Sequence, residues 1–596
     1  MASAAYRLAL HLRKEDRHRW SLHSYCLAVI MNAQAAPFQP KEVEVPQWRK
    51  TALSHREHQL TLIKPEWCIE SGTKPPRFET RSIVTFVESQ LSPEELKVTS
   101  LNTTLPQLQS WVSSKRYTAT QITSAYCHRA ALLQQTTSCL TEILFSSALE
   151  TARQQDAHYQ STGTLQGPLH GIPISLKDNQ DIAGVDSTLG WVGLINTPAL
   201  SSTPLVETLI KAGAIIYCKT NIPQSLMMSD SYNHLYGQSV NPLNTHLISG
   251  GSSGGEGALI SGGGSILGIG TDIGGSIRIP ATLQGLYGLS PSIGRVGNKE
   301  SIRRDKYVVP PVAGPLARDI DSLDTFMSIY LSQQPWKSDP AILPIPWRQD
   351  IINEFSNPAK KLKIGYVTDD GVIRCQPPIV RAVEHTVTKL RAAGHEIIDW
   401  NPIARAHHSQ AYNLWLRAVL ADGGSRFHAL SSLTSPPEPL IQGMLVGRSE
   451  NKLDTEGRMG LFDEIVEFQK LYMKIWEEAG VDALIMPVTQ YTALKPKMWV
   501  QADMYVGYTS LTNLLNWTSL VVPSIRIDRE LDAVSEEWKG YVGRTFSDRY
   551  NHDRYEELLD EGELEGMPVG VQIVTGRLEE ERAVGIARML AGLGDQ

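Results

Sequence analysis

A chain of 596 residues with 41% hydrophobic and 20% charged side chains exceeds the size at which one core usually stops growing, and its ordinary composition excludes a disordered or fibrous protein. A formal net charge of -7 without a Lys/Arg block excludes nucleic acid and anionic membrane as expected partners and favours a small, mostly uncharged molecule. The six cysteines, Cys26, Cys68, Cys127, Cys139, Cys218 and Cys375, form no C-x-x-C pair and have no histidine at zinc-ligand spacing, so reduced thiols in a cytoplasmic protein with no metal or other cofactor are expected.

Taken in chain order, Arg7, Arg13, Lys14, Arg17 and Arg19 surround a short Leu/Ala pattern. Two readings stay open: an amphipathic transit segment, against which Glu15 and Asp16 argue, or an extension ahead of a start at Met31. Residues 1–60 are expected to be a partly disordered N-terminal extension, and the polar, Pro-interrupted stretch from 31 to about 100 an irregular arm over the body. The main domain is expected over 61–596, with a helical layer and a Gly/Ser-rich half over 61–330 and a connector and variable α/β half over 331–596.

Thr118-x-x-Gln121 has the form of a capping box, and the helix it opens carries Ile122, Ala125, Tyr126 and Leu133 on one face; a helical layer is expected to about His158. The apolar run Gly171–Lys177 predicts a buried strand that delivers Lys177 at its end. Val206–Ala212 predicts a helix stopped by Gly213, and Ala214–Cys218 another buried strand. The alternation returns in the strands Leu362–Val367, His395–Trp400, Ala483–Val488, Ser519–Ile525 and Val569–Val574, and in a helix over Ile379–Ala393 stopped by Gly394. This is the pattern of an α/β fold built on one sheet. Residues 332–360 are Pro-rich and predict a connector between two lobes, and the charged stretch Asp528–Glu565 predicts a surface insertion. In the closing helix Glu579, Glu580 and Glu581 suit the macrodipole, above a stripe of Ala583, Ile586, Ala587 and Leu590.

From Gly250 to Ala281 the chain reads GGSSGGEGALISGGGSILGIGTDIGGSIRIPA. Such a density of Gly and Ser is unsuited to a helix or strand with a purely structural role, so something must approach this backbone closely. Converging N–H groups would serve a bound phosphate or a transient oxyanion. The phosphate reading fails on spacing, because neither G-x-x-x-x-G-K-[ST] nor G-x-G-x-x-G occurs in the segment. Two overlapping G-x-S-x-G patterns centre on Ser252 and Ser253, but a nucleophile elbow needs a partnered histidine. His385, His395, His407, His408, His428 and His552 carry no motif and are expected on the surface or in packing.

The whole 32-residue stretch resembles the amidase signature, including Gly-Thr-Asp-Ile-Gly-Gly-Ser-Ile-Arg-Ile-Pro. The segments Pro168-Leu-His-Gly-Ile-Pro-Ile-Ser-Leu-Lys-Asp, Lys219-Thr-Asn-Ile-Pro-Gln-Ser, Gly237-Gln-Ser-Val-Asn-Pro and Pro568-Val-Gly-Val-Gln-Ile-Val also look like segments of that family. The likeness runs from about residue 60 to the end, and the second half is most similar to fungal acetamidases and general amidases. The resemblance implies a layered α/β/α fold with a large mixed central sheet covered by helices. It implies an amidohydrolase that cleaves a short-chain aliphatic or aryl amide through an acyl-enzyme, with Ser276 attacking, Ser252 passing the proton and Lys177 accepting it. By the same carry-over the N–H groups of Ile273, Gly274, Gly275 and Ser276 form an oxyanion hole, and the Gly251–Ser252 bond is cis. Ser225, Leu226 and Ser252 contact substrate, and Asp272, Arg278 and Ser253 brace the loop.

An ordinary lysine, with a pKa of ~10.4, is protonated at neutral pH, so Lys177 has to be desolvated to act as a base; Ile172, Ile174 and Leu176 make its approach strand apolar. The alternatives kept open are an amidotransferase subunit, a hydrolase of an ester or of a larger specialised amide, and an inactive binding protein on the same fold. A homodimer also stays open.

Overall fold

The computed structural model of the chain describes residues 45–76, 78–298, 308–501 and 504–594. The basic segment from Arg7 to Arg19, Met31 and Cys26 lie outside the described residues. Eleven strands form one sheet: β1 (Leu140–Ile143), β2 (Pro173–Lys177), β3 (Ile215–Thr220), β4 (Leu267–Asp272), β5 (Tyr287–Ser290), β6 (Val312–Ala317), β7 (Lys363–Tyr366), β8 (Glu396–Asp399), β9 (Ala483–Pro487), β10 (Thr518–Arg526) and β11 (Pro568–Thr575). Their spatial order is β1-β3-β2-β4-β6-β5-β10-β11-β9-β7-β8. β2 runs parallel to both β3 and β4, and β7 parallel to β8 and β9, while the other pairs are antiparallel. The sheet is therefore mixed, as expected, and the two halves of the chain share it where β5 meets β10.

Most predicted elements sit within a residue or two of their expected place. Thr118 caps the Ala119–Thr137 helix, and its hydroxyl and the Gln121 side chain form the reciprocal capping box. The Pro204–Lys211 helix ends before Gly213 (φ 93°) and the Pro377–Ala392 helix before Gly394 (φ 84°), left-handed turns that glycine adopts without strain.

Several expectations need correction. The N-terminal layer is not wholly helical, because β1 interrupts it, too short to show a period. The arm is not irregular: the Gln47–Thr61 helix is tied to β1 by Gln59, whose amide donates to Glu142 Oε2 at 2.9 Å and accepts Ile143 N–H at 3.2 Å. Glu580 and Glu581 do more than meet the helix dipole; both are fully buried and pair with Arg295 at 3.0 and 2.7 Å. The Asp528–Glu565 stretch is not merely superficial, since its Phe546–Asp560 helix buries Tyr555 and Leu558 and Asn551 donates to Arg374 O.

The Gly250–Ala281 stretch contains regular structure in spite of its glycines: the Gly254–Ser261 helix, β4 and the Arg278–Leu283 helix, all buried. The cause is close approach. A Cβ on Gly255 would strike Asn221 N and Cys139 O, and one on Gly268 would strike the Glu256 carboxylate and Ser175 Oγ. Helix and strand lie nearer to their neighbours than side chains permit, and burial compensates for the weak intrinsic propensity. No helix among the described residues is long and apolar enough to cross a membrane.

Candidate active site

Lys177 is the last residue of β2, a strand buried along its whole length between β3 and β4. Its side chain is fully buried, with Nζ 2.8 Å from Ser252 Oγ and 3.2 Å from Thr271 O. Burial lowers the amine to about 7, against the opposing pull of the Asp272, Glu256 and Asp178 carboxylates. Desolvation wins because no carboxylate forms an ion pair with this amine among the described residues. The apolar approach strand seen in the sequence thus leads to a lysine whose amine is shifted far below the ordinary lysine range.

Ser252 is 1% exposed and follows a cis Gly251–Ser252 bond. Ser253 bonds within the loop: its N–H donates to Ser276 O at 3.1 Å, and its Oγ lies 3.4 Å from both N and O of Thr271. Ser276 is half-buried, and with Ser252, Thr271 and Ile273 it lines a cavity of about 500 Å³. Ser225 and Leu226 line the same cavity with left-handed backbones (φ 59° and 68°), and Trp191 Nε1 donates to Ser225 Oγ at 2.8 Å. Leu189, Met227, Ala418, Val419 and Phe427 add apolar surface. No histidine lines the cavity among the described residues, so the elbow patterns at Ser252 and Ser253 have no imidazole to serve them. His408, one of the histidines weighed above, is buried against Tyr472 and lowered to about 3 by burial. Nor do three or more His, Cys, Asp or Glu side chains among the described residues gather into a metal-binding group.

Asp272 and Arg278 brace the turn between β4 and the following helix. Asp272 accepts from Gly275 N–H (2.8 Å), Ile277 N–H (3.1 Å), Arg278 Nε (3.1 Å) and NH2 (2.9 Å), and Asn513 Nδ2 (2.9 Å). Burial alone would raise this carboxyl, but the Arg278 guanidinium and the surrounding donors hold it at about 2. Arg278 in turn donates to Thr509 O, Thr512 Oγ1, Asn513 Oδ1 and Gln572 Oε1. One expectation changes here: the Gly275 N–H is already committed to Asp272. Among the described residues the N–H groups of Ile273, Gly274 and Ser276 have no protein acceptor.

Sequence reasoning missed three residues beside this turn and beneath it. Trp415 Nε1 donates to Ile273 O at 2.7 Å and Thr509 Oγ1 to Gly274 O at 2.5 Å, both from the second half of the chain, where no local pattern marks them. Glu256, inside the signature itself, is fully buried and accepts from Ser175 Oγ at 2.6 Å and Thr220 Oγ1 at 2.9 Å; burial raises it to about 7. A glutamate amid glycines was the available signal.

A family model described as Amidase matches residues 121–584. The chain belongs to the amidase family. It is 34% identical over 568 residues to an acetamidase of Emericella nidulans, covering 92% of this chain and 99% of that one. It is 35% identical over 495 residues to Amidase 1 of Gibberella moniliformis, covering 82% and 92%. Among solved structures, fatty acid amide hydrolase superposes with a TM-score of 0.83 at 30% identity, over 92% of this chain and 95% of that one. A bacterial aryl acylamidase of the amidase signature family, at 19% identity and a TM-score of 0.63, shares the fold. The resemblance drawn from the Gly250–Ala281 signature therefore holds over nearly the whole amidase domain, and the protein is an amide-hydrolysing enzyme with fungal acetamidases and amidases among its relatives.

Proposed function

We propose that this amidase works through a Ser276–Ser252–Lys177 relay and an acyl-enzyme. The observation that carries the reading is a buried amine, lowered to about 7, at 2.8 Å from Ser252 Oγ, with Ser252 and Ser276 facing one cavity. Neutral Lys177 accepts the Ser252 proton as Ser252 takes that of Ser276, and Ser276 Oγ attacks the amide carbon. The carbonyl oxygen becomes an oxyanion stabilised by the Ile273, Gly274 and Ser276 N–H groups. Collapse expels the amine, which takes its proton back along the same path, and leaves an ester on Ser276. Water then repeats the sequence in place of the amine, and the acid departs. The active form requires Ser252 O–H to donate to the lysine lone pair.

A cavity of about 500 Å³ is in the range of pockets that enclose drug-sized ligands. A two-carbon amide would occupy a small part of it. The apolar lining from Leu226, Met227, Ala418 and Phe427 favours an aryl or longer-chain acyl or amine group over acetamide itself. Ser225 and Leu226 are assigned to that substrate wall. The test is labelling by a fluorophosphonate probe alongside hydrolysis of a panel from acetamide to aryl and long-chain amides. Labelling and activity are both expected to vanish in Ser276→Ala; a variant that keeps either one removes Ser276 from its role.

A further inference from the structure

The turn Ile273–Ser276 belongs to no helix or strand, so the direction of each of its peptide planes depends on what grips the carbonyls. A trans peptide is planar with C=O and N–H pointing opposite ways, and the bonds within this turn are trans. Fixing one carbonyl therefore aims the N–H of the next residue. Ile273 C=O accepts Trp415 Nε1 at 2.7 Å, which turns Gly274 N–H away from the indole. Gly274 C=O accepts Thr509 Oγ1 at 2.5 Å, which turns Gly275 N–H onto Asp272 Oδ1 at 2.8 Å. Gly275 C=O accepts Ile279 N–H at 2.7 Å, which turns Ser276 N–H away from the helix that follows.

The fit around these anchors leaves no slack. A Cβ on Gly274 would run into the Trp415 ring, and one on Gly275 would meet Thr509 Oγ1 at 2.5 Å. Trp415 comes from the Asn401–Leu420 helix and Thr509 from the Gly507–Leu515 helix, and they are 2% and 0% exposed. Neither side chain is among those that line the cavity.

We infer that Trp415 and Thr509 are positioning residues that set the direction of the oxyanion donors, acting on a turn 142 and 235 residues away along the chain. The inference rests on the oxyanion role proposed above for Ile273, Gly274 and Ser276. It assigns each anchor a separate part. The indole N–H aims one donor into the site, and the Thr509 hydroxyl removes the neighbouring N–H to Asp272, so that the turn cannot rotate to offer a different set.

The experiment compares Trp415→Phe, which keeps a ring but loses the N–H, with Thr509→Val and Thr509→Ser, which respectively lose and keep the hydroxyl. The readouts are kcat and KM on p-nitroacetanilide, the affinity for phenylboronic acid, whose adduct with a serine is tetrahedral, and the melting temperature. Trp415→Phe and Thr509→Val are expected to lower kcat by about tenfold to a hundredfold, part of what losing a whole donor costs. KM should stay within about twofold while boronate affinity falls in step with kcat, the signature of an interaction made in the transition state. Thr509→Ser should remain near the parent enzyme. Unchanged kcat and boronate affinity in both Trp415→Phe and Thr509→Val would overturn the inference, as would losses confined to KM or tracking only a lower melting temperature. If Trp415→Phe fails to fold, the Thr509 pair decides alone. Hydrolysis surviving in Ser276→Ala would strike the catalytic reading itself; a dead Ser276→Ala beside indifferent anchor variants would strike only this inference.

Discussion

The lowered amine of Lys177 makes a prediction that ordinary lysine chemistry cannot imitate. With the amine at about 7, its neutral fraction is about 9% at pH 6, half at pH 7 and about 91% at pH 8. If the neutral amine is the base, log kcat/KM climbs with unit slope below the break and flattens above it, and the whole gain from pH 6 to 8 is about tenfold. A lysine left at its usual value near 10.5 would give about a hundredfold over the same interval, with no plateau until far into alkali. Initial rates on p-nitroacetanilide at constant ionic strength between pH 5 and 10 separate the two, because the substrate does not titrate in that range. Lys177→Met should abolish the break together with nearly all activity near neutral pH, and part of the rate should return in alkali as hydroxide replaces the missing base. A log-linear rise through pH 9 with no break, or a break near 7 that survives Lys177→Met, would refute the assignment. Glu256 also titrates near 7, so the profile has to be repeated in Glu256→Gln.

In Glu256→Gln the break should persist and move to lower pH, since a carboxylate that favours the Lys177 ammonium has gone. The same variant bears on stability: a carboxyl raised to about 7 in the fold stabilises fully below its unfolded value near 4.5 and loses that contribution as pH rises through about 7. Its melting temperature should therefore fall less than the parent's between pH 5 and 8. Asp272→Asn should destabilise by about 3–5 kcal/mol in urea unfolding at pH 7, because Arg278 is left as a buried charge without its partner. The Asp272 contribution runs with the opposite sign, present above about 3.8 and lost as pH falls through about 2. Gly255→Ala should cost about 3 kcal/mol or more, since its Cβ meets backbone atoms of Asn221 and Cys139 that cannot step aside.

The elements that were legible in the sequence are those whose signal is local. Thr118 and Gln121 announced a helix start because a capping box needs only four residues. Gly171–Lys177 announced a strand because both faces of β2 are buried, which leaves an unbroken apolar run ahead of the lysine. β1 escaped notice because four residues show no period. The Gly254–Ser261 helix was obscured because propensity counts glycine against it, whereas the packing that requires glycine comes from Asn221, Cys139 and Gln284. Glu580 and Glu581 had the right residue type for a helix start, and nothing nearby in the chain pointed to Arg295.

What the sequence determined by itself was the chemistry on offer: two serines in a glycine-rich signature and a lysine at the close of an apolar strand, each set by neighbours within a few positions. The tertiary structure alone decided how that chemistry is tuned. The value of the Lys177 amine is a balance of burial against three carboxylates brought from β4, the Gly254–Ser261 helix and the residue after β2. The removal of Gly275 N–H from the set of free donors, the grip of Trp415 and Thr509 on the turn, and the size of the cavity likewise depend on distances between residues far apart in the chain. Desolvation and hydrogen-bond direction are properties of packed surroundings, and no window along a sequence contains them.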